Sequence, residues 1–260
     1  MKNYNLLVTL RQNQVKTMSQ FDFKQFRVRQ DRCAMKVGTD GVLLGAWAEG
    51  GQRILDIGTG TGVIALMMAQ RFPKAQIVGI DVDAEACQQA RQNAAESPFA
   101  DRVEVQQTAV QNYLASSASH HEPDATTGTH FFDSIVSNPP FFVDSLTNPD
   151  PRKALARHTD TLSFADLFSA VSRLLSGNGV FSAVIPFDAS EDFCSYAYFS
   201  GLYLSRQYLV KTKDNKPVKR CLLAFRKQRP QALECLEVCL QEENGERSGW
   251  YQQLTSDFYL

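Results

Sequence analysis

Two clusters in this 260-residue chain have the residue types and spacing for chemistry. The first is Asn138-Pro139-Pro140-Phe141, which closes the apolar run that begins at Phe131. An asparagine amide and a proline carbonyl both accept hydrogen bonds, and a phenylalanine beside them offers a flat face. This set suits the holding of a planar amino group. No histidine or cysteine adjoins it to act as a base or a covalent nucleophile, so the chemistry expected there is positioning and electrostatics. The second cluster is Asp56-Ile-Gly58-Thr59-Gly60-Thr-Gly62, followed by Asp81. Glycines let a backbone approach a ligand closely. An acid at a second strand tip, about 20 residues past the first glycine, is placed to grip ribose hydroxyls. Asp56 stands just before the glycines, and the spacing is not that of a pyrophosphate loop. A carboxylate there repels a diphosphate and suits a cationic nucleoside, which points to S-adenosylmethionine rather than a nicotinamide cofactor.

The elements that must position these groups alternate strand and helix. Residues 54–57 read as a buried strand, 63–72 as a helix ended by Pro73, and 77–80 as a second strand that stops at Asp81. A helix over 84–95, a strand over 103–106, and a turn and short helix over 107–114 follow. A fourth strand led by Asp133 must stop at Asn138, because proline lacks an N–H and pushes its predecessor out of the helical region. Residues 162–175 form an amphipathic helix with Ser163 and Asp166 as a capping box, and Gly177 and Gly179 end it. A fifth strand, 179–185, halts at Pro186, and the Tyr/Phe stripe of a helix over 190–199 is expected in the core. Strands at 203–211 and 218–225 are joined by a basic tip, and 233–240 is a final edge strand before a short helix from Trp250. Upstream, Phe21 to Val28 reads as a small hairpin, and Gly38-Thr39-Asp40 opens a helix that stops at Gly50-Gly51, with Thr39 or Asp40 as its N-cap. Residues 115–130 read as a disordered or mobile loop and 142–158 as a substrate lid or clamp. The sum is an α/β chain with a flexible arm at 1–20 and a single domain over 21–260. That domain carries a small cap near 21–50 and a C-terminal addition near 231–260.

A net charge of −1 hides segregation: residues 206–229 hold nine Lys/Arg against one Asp, whereas 231–260 hold six acids against one Arg. Basic blocks in a near-neutral protein suit a polyanion. The candidates to grip phosphates are Lys24, Arg27, Arg29, Arg32, Lys36, Arg152, Lys153, Lys213, Lys216, Lys219 and Arg220. Six cysteines without a CxxC pair, and histidines at 120, 121 and 130 in a polar stretch, give no metal site and suit reduced, mostly packed thiols in the cytoplasm. No stretch approaches the roughly 20 apolar residues of a membrane span, and no signal peptide is evident. A monomer is expected.

With these residues in view, the chain resembles the class I S-adenosylmethionine-dependent methyltransferases, in the branch defined by (D/N/S)PP(Y/F/W) that acts on amino groups. The stretches FKQFRVRQDRCAMKVGTDGVLLGAW, SNPPFF and YQQLTSDFYL are similar to the bacterial tRNA1(Val) adenine-37 N6-methyltransferase family, over roughly residues 20–260. The resemblance implies a Rossmann-like seven-stranded sheet, mostly parallel with an antiparallel last strand, and helices on both faces. It implies that Asp56, Gly58, Thr59, Gly60 and Gly62 line the methionine side of the cofactor, that Asp81 holds the ribose, and that Val82 packs on the adenine. Gly38, Thr39 and Asp40 would close over the methionine end. Asn138, which would also border the cofactor, and Pro139, with Pro140, would hold the target amine, Phe141 would stack on the base, and the partner would be tRNA. Ala109 would stand on the fourth-strand side of the cofactor pocket, where the family often has an acid, so the cofactor adenine would need a backbone or other side-chain acceptor here. The same motif also serves protein glutamine N5-methyltransferases and guanine N2 methyltransferases of RNA. Against the first stands the shortness of the segment before Gly38. A non-catalytic RNA-binding module is disfavoured because both clusters are intact.

Overall fold

The computed structural model describes residues 20–33, 35–116, 132–139 and 162–260. The expectations for the arm at 1–19, the loop at 117–130, Pro140, Phe141 and the segment 142–158 lie outside those residues. Two short strands, β1 (Gln20–Asp22) and β2 (Arg27–Arg29), pair antiparallel as the expected hairpin. Then come α1 (Thr39–Trp47), β3 (Arg53–Ile57), α2 (Val63–Arg71), β4 (Gln76–Asp81), α3 (Ala84–Ala95), β5 (Val103–Gln107) and α4 (Val110–Ser116). After them follow β6 (Phe132–Ser137), α5 (Phe164–Leu174), β7 (Leu175–Pro186), α6 (Ser190–Phe199), β8 (Tyr203–Lys211), β9 (Val218–Arg226), β10 (Glu234–Cys239) and α7 (Gly249–Thr255).

The main sheet has eight strands in the order β10-β8-β9-β7-β6-β3-β4-β5. The seven expected strands are present, and β10 joins them as an eighth at the edge, parallel to β8. Only β9 runs against its neighbours, β7 and β8. Strand order therefore reverses between β3 and β6, which pair in parallel. At such a point the strand tips leave a crevice for a ligand. The helices cover both faces. α1, α2, α7 and the β1–β2 hairpin pack on one side around Val42, Leu43, Leu66 and Met67, all at most 1% exposed. α4, α5 and α6 pack on the other around Phe168, Phe181, Phe193 and Phe225, each 0% exposed. Full burial of a large apolar side chain contributes roughly 1.5–3 kcal/mol, so these rings are a main support of that layer.

Local chemistry explains the boundaries, including those that differ from expectation. Ser163 caps α5 by accepting from the Asp166 N–H at 3.1 Å, and its hydroxyl donates to the Asp166 carboxylate at 2.7 Å. α1 is capped by Gly38 in an extended conformation without a side-chain bond, so Thr39 and Asp40 fall inside the first turn. It also ends at Trp47, before the glycine pair. Gly51 is needed there for space, since a Cβ on it would lie 2.2 Å from Cβ of Asp133. β7 starts at Leu175 directly after α5 and absorbs the glycines at 177 and 179. The register jumps from Phe132–Leu175 to Ser134–Val180, so residues 176–179 bulge out of the ladder. In α6 only Phe193 and Ala197 are buried. Tyr196, Tyr198 and Phe199 are 45, 61 and 84% exposed, because one helix face alone meets the sheet.

Candidate active site

The tips of β6, β3, β4 and β5 open onto one cavity of about 580 Å³. Its lining is Met35, Ile57, Gly58, Gly60, Ile80, Asp81, Val82, Asp83, Thr108, Ala109, Val110, Gln111, Asn138 and Leu162. Both clusters singled out in the sequence thus meet in one space. The Ser137 hydroxyl donates to the Ile57 carbonyl at 2.9 Å and pins the β6 tip to the β3 tip. Asn138 is half-buried and Pro139 buried. The Asn138 Nδ2 donates to the Met35 sulfur at 3.8 Å.

The glycine turn is held from below by β4. The N–H groups of Gly58 and Thr59 donate to the Ile80 carbonyl at 2.9 and 3.0 Å. Gly58, Gly60 and Gly62 have φ of 72, 54 and 81°, in the left-handed region that glycine adopts without strain. A Cβ on Gly58 would meet no atom within 4 Å, so it would project into open space. Asp81 accepts from the Gly60 N–H at 2.9 Å through Oδ2 and from the Asp83 N–H at 3.0 Å through Oδ1. Asp83 caps α3 by accepting from the N–H groups of Glu85 and Ala86. Each Asp81 oxygen keeps a lone pair for a further donor, as ribose hydroxyls would be.

Asp56 stands beneath the cavity and not on its wall. It is 0% exposed, and Oδ2 accepts from the Thr59 hydroxyl at 2.7 Å and the Ala65 N–H at 3.2 Å. Its Oδ1 is buried without a hydrogen-bond partner among the described residues. Burial pushes its carboxyl up to about 7 against those two hydrogen bonds, and the charge of Asp81 adds to the rise. Thr59 and Gly62 are likewise buried supports of the turn. Gly38, Thr39 and Asp40 do not line the cavity. Asp40 forms an ion pair at 2.9 Å with Arg220, which ties the first turn of α1 to the start of β9.

The strap between β2 and α1 brings Met35 to the mouth by climbing along α3. Arg29 N–H donates to the Asn93 side chain at 2.9 Å, and Arg32 N–H to the Gln89 side chain at 3.2 Å, one helical turn nearer the ligand edge. Cys33 comes within reach of the β4 tip. Its thiol is pushed up to about 11 by burial first and then by the charges of Asp81 and Asp83.

The basic candidates divide by position. Arg29 pairs at 2.9 Å with Glu96, just past the C-terminal end of α3, at the edge of the sheet away from the cavity. Lys24, whose Nζ donates to the Ser256 carbonyl at 2.7 Å, and Arg27, paired with Asp22, share that hairpin. By contrast β8 is parallel to β7, so the 212–217 tip with Lys213 and Lys216, and Lys219 beside it, emerges at the cavity edge. Arg32 and Lys36 are exposed on the strap. Arg152 and Lys153 lie outside the described residues. Sequence reasoning missed Met35, Ile57, Ile80, Asp83, Thr108, Val110, Gln111 and Leu162 as lining residues. The end of β5 could have revealed Thr108 and Gln111, while nothing in the chain marks Met35.

No group of three or more His, Cys, Asp or Glu side chains that could hold a metal occurs among the described residues. Neither is any helix among them long and apolar enough to cross a membrane. S-Adenosylmethionine fits this site. The cavity has the volume of a nucleoside-sized ligand pocket, Asp81 at its wall keeps lone pairs for ribose hydroxyls, and Val82 is an apolar wall 61% exposed.

A model of a methyltransferase domain matches residues 48–199. A tRNA1(Val) (adenine(37)-N6)-methyltransferase from Bacteroides fragilis is 48% identical, the match covering 92% of this chain and 97% of the relative. A protein of the same description from Aeromonas hydrophila is 42% identical, over 93 and 98%. Among solved structures, a predicted O-methyltransferase from Agrobacterium tumefaciens aligns with a TM-score of 0.62 over 84% of this chain and 96% of that one. At 20% identity, it speaks for the fold alone. By the length and identity of these matches, and by the two clusters that share its cavity, the chain belongs to the tRNA1(Val) (adenine(37)-N6)-methyltransferase family.

Proposed function

We propose that this protein methylates N6 of adenine 37 in tRNA1(Val), with S-adenosylmethionine as the methyl donor. The observation that carries this is one cavity lined by Asn138 on one side and by Gly58, Gly60 and Asp81 on the other, in a chain of this family. When bound, S-adenosylmethionine supplies an electrophilic methyl group on a sulfonium. The rest falls to this chain. An adenine N6 is a poor nucleophile because its lone pair is drawn into the ring. The Asn138 side-chain oxygen and the Pro139 carbonyl would accept its two hydrogens and turn it toward sp3, so that the lone pair becomes available. With Asn138 Nδ2 directed to the Met35 sulfur, Oδ1 is left for the amine. The extra proton leaves the amine after transfer, which requires no base at the strand tip. A base in a folded RNA must first leave its stack, and Phe141 would receive it.

Incubation with methyl-labelled cofactor and either tRNA or total protein, followed by nucleoside mapping, tests the assignment. Label is expected in N6-methyladenosine of tRNA1(Val), and label confined to protein would overturn it. Asn138→Ala is expected to lower turnover by at least about 100-fold while cofactor affinity stays within about twofold.

A further inference from the structure

We propose that the side-chain amide of Gln111 recognises the exocyclic amino group of the cofactor's adenine. This rests on the assignment of S-adenosylmethionine to the cavity. The strand tips below the cavity follow one another across the sheet as β6, β3, β4 and β5. Asn138 follows the first, the glycine turn the second, Asp81 ends the third, and Thr108 to Gln111 follow the fourth. A molecule whose methyl group faces an amine at Asn138 and whose ribose reaches Asp81 can extend its base in one direction only, toward β5.

There Val82, Ala109 and Val110 are apolar and Asp83, Thr108 and Gln111 polar, with Asp83 turned to the N–H groups of Glu85 and Ala86 as the cap of α3. Ala109 brings no side-chain acceptor. The Thr108 hydroxyl is turned to the Ala109 carbonyl at 3.2 Å. Gln111 lines the cavity from the first turn of α4, is exposed, and forms no side-chain hydrogen bond with another described residue. A carboxamide presents an acceptor beside a donor, and adenine presents an N6–H donor beside a ring-nitrogen acceptor, so the two are complementary. Without such a partner, the amino group would lose its water on entering the cavity and gain nothing in return.

The test measures binding, not turnover. The full chain is titrated calorimetrically with S-adenosylhomocysteine and with its purine-riboside analogue, which lacks the N6 amino group. Gln111→Ala is expected to weaken S-adenosylhomocysteine by about 5- to 10-fold and the analogue by less than about twofold. Gln111→Glu, which keeps an acceptor, is expected to hold S-adenosylhomocysteine within about threefold of the wild type. Equal weakening of both ligands by Gln111→Ala, or weakening of neither, would overturn the proposal. Failure of the wild type to bind S-adenosylhomocysteine would instead overturn the cofactor assignment on which it stands.

Discussion

At Asp56 burial and charge oppose one another. The carboxyl is fully enclosed, and its pKa rises to about 7 because water no longer solvates the anion and the hydrogen bonds from Thr59 and Ala65 compensate in part. The folded protein therefore keeps a proton that the unfolded chain has released between about pH 4 and 7. This group's contribution to stability is complete below about pH 4, is lost as the pH rises to about 7, and is flat above that. Asp56→Asn removes the titration with little change of shape. In cofactor-free protein, the stability of the wild type relative to Asp56→Asn is expected to fall by on the order of 1 kcal/mol per pH unit between pH 5 and 7. Urea denaturation at several pH values reads it. A constant difference across that window would mean that Asp56 stays ionised in the fold.

Among the elements, the two basic hairpins separate most clearly. The β1–β2 hairpin with Lys24, Arg27 and Arg29 sits by Glu96 at the far edge, whereas the β8–β9 tip with Lys213, Lys216 and Lys219 shares the cavity edge. Triple reversal of Lys213, Lys216 and Lys219 to Glu is expected to weaken tRNA binding at least about tenfold and to reduce its salt slope by roughly 2–3. Reversal of Lys24 and Arg27 is expected to change affinity by less than about twofold. Filter binding across a salt series distinguishes the two, and equal losses would place the RNA on both edges. Local signals were enough for the glycine turn, the strand stop at Asn138 and the Ser163 cap, because each is dictated by neighbours in the chain. What stayed hidden depends on partners far away in sequence. The ion pair of Asp40 with Arg220 and the approach of Met35 to Asn138 exist only once the strap and the sheet are assembled. The exposed rings of α6 follow from which helix face meets β8 and β9, and their sequence alone looks like core. The bulge at 176–179 reads as a turn for the same reason, since only pairing with β6 shows that β7 has already begun.

For the whole molecule, the reversal of strand order sets an order of assembly. β3 is paired on one side by β4, which follows it closely, and on the other by β6, which begins only at Phe132. Ribosome-stalled chains that end soon after β5 are expected to leave β3 open to protease, with protection appearing once β6 and β7 have emerged from the exit tunnel. Protection of β3 in the shorter chains would refute this order. Until β6 arrives, β3 is an edge strand with free backbone groups and with Ile54, Leu55 and Ile57, which end at most 2% exposed, still uncovered. The seam where donor and acceptor are later brought together is thus, during synthesis, an open edge for a neighbouring nascent chain, and faster completion of β6 is expected to raise the yield of folded protein.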